Sequence, residues 1–276
     1  MLNNNRYVNG RIPDFEERGE MLDREVQGSG GYVYQCPYGD ELCIVKIPLM
    51  RSYNNDSSRL DSEISLMHHE ELQQQPIADL KAVHSWHAES GAAKKALVFK
   101  FYSGGDLMAL LTQPLEKRDP RLHGPSVELD LIVLIVVQRL CMVLATLHQM
   151  GWCHCDIKPE NIFCPSADYF GLKSCVLGDF GCLKRIGVDD VIPGVTGTKD
   201  WVPWKDGFTL AHGSYDMYSV GKIMKAFKMS CGALSAEVGT LANQLMSKAA
   251  LRPTASDLLQ KTLPELFEKL GQRTMQ

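Results

Sequence analysis

The sequence predicts an α+β protein with two lobes: a small antiparallel β-sheet lobe with one helix, and a larger, mainly helical lobe. Three observations support this fold class. Short β-branched and aromatic runs alternate with turn residues in Glu25–Pro48, apolar residues then recur at helical spacing, and the chain after Asp106 is mostly helical in pattern. With 276 residues the chain is long enough to form two lobes that share a cleft.

The first strands are predicted from their separation by turn residues. Val26, Tyr32–Tyr34 and Leu42–Val45 have strand character. The glycine-rich run Gly28–Gly31 separates the first two, and Pro37–Asp40 separates the last two. The pattern therefore predicts three antiparallel strands.

The helix of the small lobe is predicted at residues 56–75, which contain few β-formers and begin with Asp-Ser-Ser, a typical N-cap composition. Strand character returns at Leu97–Phe101 and is broken by Ser103–Asp106, where the lobes divide. The predicted domains are an N-terminal extension (1–21), a small lobe (22–101) and a large lobe (102–276).

The large lobe is predicted to contain a surface insertion and a buried helix. Thr112–Val127 is polar and contains three prolines, which is typical of an insertion. Leu131–Leu147 is strongly apolar, but Gln138 and Arg139 interrupt it and it is shorter than the ~20 apolar residues of a membrane span. A buried helix is the favoured interpretation.

Composition limits the compartment and the partners. The 33 acidic and 29 basic residues give a net charge of -4, with no basic excess to attract nucleic acid or an anionic membrane, so neither is an expected partner. Nine cysteines are an odd number, and the first residues lack the apolar core of a signal peptide. We therefore expect an intracellular protein, cytoplasmic or nuclear, with free thiols that do not bind metal.

Two acid-bearing segments carry the chemistry. His154–Asn161 reads His-Cys-Asp-Ile-Lys-Pro-Glu-Asn, and Gly-Asp-Phe-Gly follows at 178–181. Transfer of a γ-phosphoryl group needs an acid that accepts the proton of the incoming hydroxyl, and an amide and a second acid that hold magnesium ions. Asp156, Asn161 and Asp179 supply these groups, so ATP and Mg²⁺ are the expected cofactors.

The order of elements resembles the eukaryotic protein kinase superfamily from about Leu22 to Phe267. The shared features are a glycine-rich turn between strands, a strand lysine, a helix glutamate, a hinge, His-x-Asp-x-Lys-x-x-Asn and Asp-Phe-Gly. Lys158, two residues after Asp156, marks the Ser/Thr type within this superfamily. The compact lobe and the Leu-Gly-Asp-Phe-Gly run also resemble divergent kinases of large DNA viruses, including herpesviral ones.

The resemblance implies a role for each matching residue. Asp156 is the catalytic base, Lys158 stabilises the transferred phosphoryl group, and Lys46 grips the α- and β-phosphates while paired with Glu63. Asn161 and Asp179 coordinate magnesium. The other implied nucleotide contacts are Gly28, Ser29, Gly30 and Gly31 at the phosphates, Phe99 behind the adenine, Lys100 to Tyr102 at the hinge, Asp106 at the ribose, and Val33 and Phe163 on either side of the base.

Further matches are structural. Asp216 resembles the helix acid that anchors the catalytic-loop backbone, and Phe180 is expected to pack against His154 and the small-lobe helix. Gly197-Thr198 resembles the segment that receives the substrate hydroxyl. These residues extend the resemblance beyond the catalytic acids.

The sequence departs from the family pattern at several positions. The glycine loop lacks its third glycine, and Cys155 replaces an arginine that pairs with an activation-loop phosphate. We therefore expect activity that is constitutive or controlled by a regulatory protein partner. The family's Ala-Pro-Glu triplet is replaced by Val202-Pro203-Trp204-Lys205, so the glutamate that would bridge to Arg252 is missing. Asp206 and Asp200 are its possible substitutes.

Three functions fit these residues. The favoured one is an ATP- and magnesium-dependent serine/threonine kinase acting on protein substrates. The alternative is a pseudokinase, a nucleotide-binding scaffold or partner-docking module, which the eroded glycine loop and Cys155 favour. A small-molecule phosphotransferase on a related fold also uses an Asp and a downstream Asn, but Lys158 and Phe180 argue against it.

Overall fold

The computed structural model describes residues 20–23, 31–48, 56–87, 93–192 and 194–273. The chain divides into two compact units. The first extends to Met67 and continues over Ala78–Phe101, and the second comprises His68–Ile77 and the chain from Tyr102 onwards. Residues 68–77, which the sequence-based division places in the small lobe, therefore pack with the second unit, where Ile77 forms a β-bridge with Leu177.

The first unit is built on an antiparallel sheet. Within the described residues the sheet has five strands in the order β1-β2-β3-β5-β4. The strands are β1 (Glu20–Asp23), β2 (Gly31–Tyr38), β3 (Glu41–Pro48), β4 (Leu80–His87) and β5 (Ala93–Lys100), and helix α1 (Asp56–Met67) lies between β3 and β4 in the chain. The α+β fold class predicted from the sequence is confirmed.

Several predicted elements need correction. The sequence analysis missed β1, which precedes the predicted strand at Val26, a residue outside the described part of the chain. It also missed β4, whose sequence Leu-Lys-Ala-Val-His-Ser-Trp-His has a single β-branched residue. The predicted helix over 56–75 is two helices, because His69 has extended backbone angles (φ -70°, ψ 128°) that end one and begin the next.

The two faces of the sheet have different compositions. One face is a closed apolar core that contains Cys36 and Cys43, which lie opposite each other on β2 and β3. The remaining buried members of this core are Tyr34, Val45, Ile47, Trp86, Ala96 and Val98. Because side chains alternate along a strand, Val33 and Lys46 project from the opposite face.

The second unit is mainly helical. Its helices are α2 (Glu70–Gln73), α3 (Leu107–Thr112), α4 (Val127–Gln149), α5 (Tyr169–Lys173), α6 (Gly213–Cys231), α7 (Ala236–Leu245), α8 (Ala255–Asp257) and α9 (Leu263–Arg273), with a π-helical turn over Leu258–Thr262. Short 3₁₀ turns lie at Leu115–Lys117, Pro120–Leu122, Pro159–Asn161, Trp204–Asp206 and Ala249–Leu251. Two small two-stranded antiparallel sheets pair β6 (Trp152–Cys153) with β9 (Lys184–Arg185) and β7 (Ile162–Phe163) with β8 (Val176–Leu177).

Helix α4 is the core of this unit. It begins where the Ser126 hydroxyl accepts the Leu129 amide at 2.9 Å, and it packs against α6 and α9. Among the described residues it is the one helix long and apolar enough to cross a membrane by length and composition. Its apolar side chains, including Ile132, Val136 and Leu140, are buried within the unit, so the predicted buried helix is confirmed and extends beyond Leu131–Leu147 at both ends.

Candidate active site

Asp216 on α6 fixes the backbone of the loop His154–Asn161, here called the catalytic loop. The Asp216 carboxylate is fully buried and accepts three hydrogen bonds: from the His154 and Cys155 amides, each at 2.8 Å, and from His148 Nε2 at 2.9 Å. Burial acts to raise the pKa of Asp216, but these hydrogen bonds and the nearby histidines outweigh it and hold the pKa below its usual value. The predicted anchoring role of Asp216 is thereby confirmed.

Asp156 lies at the centre of a network of donors. Its Oδ1 accepts the Thr198 hydroxyl at 2.7 Å, while its Oδ2 lies 3.0 Å from Lys158 Nζ and 3.2 Å from Asn161 Nδ2. Lys158 Nζ also donates to Thr198 Oγ1 at 2.9 Å. The structure thus brings Asp156, Lys158 and Thr198 together, and only 6% of Asp156 is exposed. A carboxylate oriented in this way can accept a proton from a hydroxyl group placed beside it.

Asn161 and Asp179 lie at the same end of the paired strands β7 and β8. Asn161 directly precedes β7, and the amide of Gly178, which follows β8, donates to the Asn161 carbonyl at 2.9 Å. The Asn161 side chain turns its nitrogen towards the Asp156 carbonyl at 2.8 Å, so its Oδ1 points elsewhere. An amide oxygen and a carboxylate are ligands that suit Mg²⁺, and this donor set fits the predicted metal site.

The backbone of Asp179 has an unusual conformation. Its φ is 54°, in the left-handed region that non-glycine residues seldom adopt. Phe180, next along the chain, is 1% exposed and its ring lies 5.0 Å from the His154 ring, while His154 Nε2 lies 3.2 Å from the Gly178 carbonyl oxygen. The predicted contact of Phe180 with His154 is confirmed, and it fixes the turn that presents Asp179.

In the first unit, the sheet register places the nucleotide residues on one face. Val33 lies opposite Lys46, and Ile44 lies opposite Phe99. Since Ile44 and Lys46 are two residues apart on β3, Val33, Lys46 and Phe99 share a face, away from the apolar core. Their contacts with a nucleotide stay predictions.

The remaining small-lobe residues predicted for the site differ in burial, and some lie outside the described part of the chain. Glu63 is buried on α1, with 4% exposure, as expected of a paired acid, and its pairing with Lys46 stays a prediction. Lys100 is exposed at the end of β5. Gly31 begins β2 opposite Pro48, and the predicted phosphate contacts Gly28, Ser29 and Gly30 lie outside the described residues.

In the second unit, Tyr102, Asp106 and Phe163 lie together. The Tyr102 and Phe163 rings stack with centroids 6.1 Å apart, and Asp106 forms a β-bridge with Phe163. Asp106 Oδ1 accepts the Ala109 amide at 2.7 Å and so caps α3. Gly104 is required here, because a Cβ would lie 2.4 Å from the Ser166 carbonyl oxygen. The roles of these residues at adenine and ribose stay predictions.

Asp206 replaces the missing glutamate as the ion-pair partner of Arg252. Its Nη2 forms an ion pair with Asp206, and its Nη1 donates to the Ser214 carbonyl at 3.1 Å. The guanidinium lies 5.0 Å from the centre of the Tyr218 ring. Of the two acids that the sequence left open, Asp200 is exposed and Asp206 makes the contact.

Replacement of Asp206 by asparagine should lower the free energy of unfolding by about 1–3 kcal/mol, because it leaves the buried Arg252 charge without its counter-ion. Denaturant unfolding of the Asp206→Asn and Asp200→Asn variants measures this. The Asp200 variant is the matched control and should change stability by less than ~0.5 kcal/mol. Equal stability of the two variants would contradict the assignment.

Comparisons with known proteins show which family and which relatives this chain is similar to. A family model described as "Protein kinase domain" matches residues 26–238. "Serine/threonine-protein kinase D2" of Homo sapiens is 27% identical over 215 residues, which are 74% of this chain and 22% of that protein. "Myosin light chain kinase 3" of Rattus norvegicus is 25% identical over 207 residues, 74% of this chain and 24% of that protein. The chain therefore spans about a quarter of the length of the curated relatives it matches.

Proposed function

The chain belongs to the protein kinase family, and from this we propose that it transfers the γ-phosphoryl group of ATP, with Mg²⁺, to serine or threonine hydroxyls of proteins. The observation that carries the proposal is the network of Asp156, Lys158 and Thr198. The network brings the Asp156 carboxylate, the Lys158 ammonium group and the Thr198 hydroxyl within hydrogen-bond distance of one another.

In this proposal each site residue of the second unit has its own role in the reaction. Asp156 accepts the proton of the acceptor hydroxyl, and Lys158 places positive charge where negative charge develops on the transferred group. Asn161 and Asp179 hold magnesium, which neutralises the phosphates when it is bound. Thr198 orients both Asp156 and Lys158, because its hydroxyl donates to the first and accepts from the second.

The residues of the first unit bind the nucleotide in this proposal. Lys46 pairs with the α- and β-phosphates, and Val33 and Phe99, on the same face of the sheet, contact the adenine. The serine/threonine preference is supported by Lys158 and by the name of the relative "Serine/threonine-protein kinase D2". Protein substrates and a regulatory protein partner complete the proposal.

The test is transfer of labelled γ-phosphate from ATP and Mg²⁺ to a protein mixture by the full chain and its Lys46→Met variant. We expect label on serine and threonine from the parent, and at least ~100-fold less from the variant, because it lacks the cation that binds the phosphates. Lys81→Met is the matched control, since Lys81 is a lysine of the same sheet that pairs with Asp79 at 3.0 Å. It should retain parent activity.

The outcomes separate the proposed kinase from the alternative pseudokinase. A folded parent that binds ATP but transfers no label to protein would favour the pseudokinase. Label on tyrosine alone would overturn the serine/threonine assignment. Thermal shift with ATP and Mg²⁺ reports nucleotide binding in either case, so it supports the comparison without deciding it.

A further inference from the structure

Cys155 stands where the family resemblance places an arginine, and the structure shows what surrounds it. The Cys155 side chain is fully buried in an apolar cluster with Cys153 and Tyr215. The other buried members are Val191, Val202 and Ala211, from the segment that follows Asp-Phe-Gly and from the chain just before α6. Apolar side chains therefore pack around the residue that replaces the expected arginine.

The chain over residues 187–192 and 194–202, here called the substrate segment, is held by backbone hydrogen bonds to the chain just before α6. The Val191 amide donates to the Thr209 carbonyl and the Ala211 amide donates to the Asp189 carbonyl, each at 2.9 Å. Thr196 is 5% exposed, and its hydroxyl accepts the Ile192 amide at 3.0 Å. The Thr196 hydroxyl is therefore used within the segment.

Tyr215 connects this segment to helix α6. Its hydroxyl donates to the Thr196 carbonyl at 2.9 Å, and only 1% of the residue is exposed. Tyr215 is adjacent to Asp216, which fixes the catalytic loop, and Thr196 lies two residues before Thr198, which contacts Asp156. One turn of α6 therefore fixes both the loop that carries the base and the segment that carries Thr198.

At Gly197 the backbone of the substrate segment packs closely against the backbone of the catalytic loop. Its φ is 73°, and a Cβ on this residue would lie 2.2 Å from the Cys155 carbonyl oxygen. The segment thus rests directly on the backbone of the catalytic loop, and a small displacement of Thr196 moves Thr198 relative to Asp156. Two hydrogen bonds from α6 limit that displacement: the Tyr215 hydroxyl donates to the Thr196 carbonyl, and Ser219 Oγ donates to the Trp201 carbonyl at 2.8 Å.

We propose that Tyr215 is a positioning residue that holds the substrate segment against the catalytic loop, so that Thr198 contacts Asp156 without any phosphorylation of the segment. Tyr215 and the apolar cluster around Cys155 take the place of an arginine–phosphate pair. This inference rests on the proposed function, and it deepens it by identifying how the acceptor side of the site is kept in order. Its consequence is activity in the unphosphorylated protein.

The experiment compares Tyr215→Phe with Tyr218→Phe in the full chain after phosphatase treatment. Both substitutions remove one hydroxyl from the same helix, and the Tyr218 ring that faces Arg252 is kept. For Tyr215→Phe we expect kcat/KM for the protein acceptor to fall about 3- to 10-fold, the effect of one lost hydrogen bond, with KM for ATP unchanged. Tyr218→Phe should match the parent.

Hydrogen exchange gives a readout that does not depend on catalysis. In Tyr215→Phe the amides of residues 194–202 should exchange faster, while those of α4 keep the protection of the parent. Unchanged exchange over 194–202, or the same acceleration in Tyr218→Phe, would overturn the proposal. Faster exchange throughout α4 and α6 would also overturn it, because the tyrosine would then stabilise the whole unit.

The parent protein provides the remaining outcomes. Loss of its activity on phosphatase treatment would overturn the claim that no phosphate is needed. A parent that transfers no phosphate before or after treatment would contradict the proposed function instead, and the exchange comparison would then decide alone whether Tyr215 holds the segment.

Discussion

Replacement of Asp156 by asparagine is expected to lower phosphoryl transfer by ~10²- to 10⁴-fold in a protein that stays folded. Asparagine has the shape of aspartate but no basic oxygen, so the acceptor hydroxyl keeps its proton until it attacks. The amide also presents donors where the parent carboxylate accepts from Thr198 at 2.7 Å and lies 3.0 Å from Lys158 Nζ. The variant therefore loses both the base and the orientation of its neighbours.

Single-turnover transfer with saturating ATP measures this effect on the chemical step. Glu160→Gln is the matched control, because Glu160 is an exposed acid in the same loop and its replacement should leave the rate unchanged. Circular dichroism and thermal unfolding show whether the Asp156 variant is folded. An Asp156→Asn protein with the turnover of the parent would remove Asp156 from the mechanism.

The centre of the candidate site could be predicted from the sequence because its contacts are local. Asn161 is five residues from Asp156, and its side chain bonds the Asp156 backbone and carboxylate within one loop. Lys158 lies in the same loop and turns back to Asp156. Residue types and spacing therefore predict such a group when a single loop supplies it.

Contacts between distant segments could not be predicted in the same way. Spacing along the chain left Asp200 and Asp206 equivalent as partners of Arg252, and only the folded backbone distinguishes them. Tyr215 likewise has no signal in the sequence beyond being an aromatic residue beside Asp216. Its function depends on a hydrogen bond to Thr196, 19 residues earlier, that the local pattern does not reveal.

The missed strand β4 shows a limit of propensity in the fold itself. Its residues are paired along their length with β5, and Trp86 is buried in the sheet core. Pairing and burial make this segment a strand although lysine, histidine and serine occupy much of it. Tertiary context overrides the weak local preference.

Replacement of Asp216 by asparagine should have the largest effect on stability, a loss of about 3–5 kcal/mol in the free energy of unfolding. The carboxylate accepts the His154 and Cys155 amides and His148, and an amide nitrogen in its place would face a donor in a fully buried site. Denaturant unfolding near pH 7 measures the loss. Asp190→Asn, an exposed acid of the same unit, is the control and should change stability little.

The difference between the parent and Asp216→Asn should also depend on pH in one direction. Because the folded protein holds the pKa of Asp216 below its usual value, through hydrogen bonds that outweigh burial, the ionised carboxylate stabilises the fold at every pH above the unfolded pKa of about 3.9. That contribution is lost as the pH falls through the depressed pKa of the folded state. The stability gap should therefore shrink as the pH falls below about 4. A gap that widens on acidification would mean that the carboxyl group is neutral in the native protein, and the catalytic loop would then need another anchor.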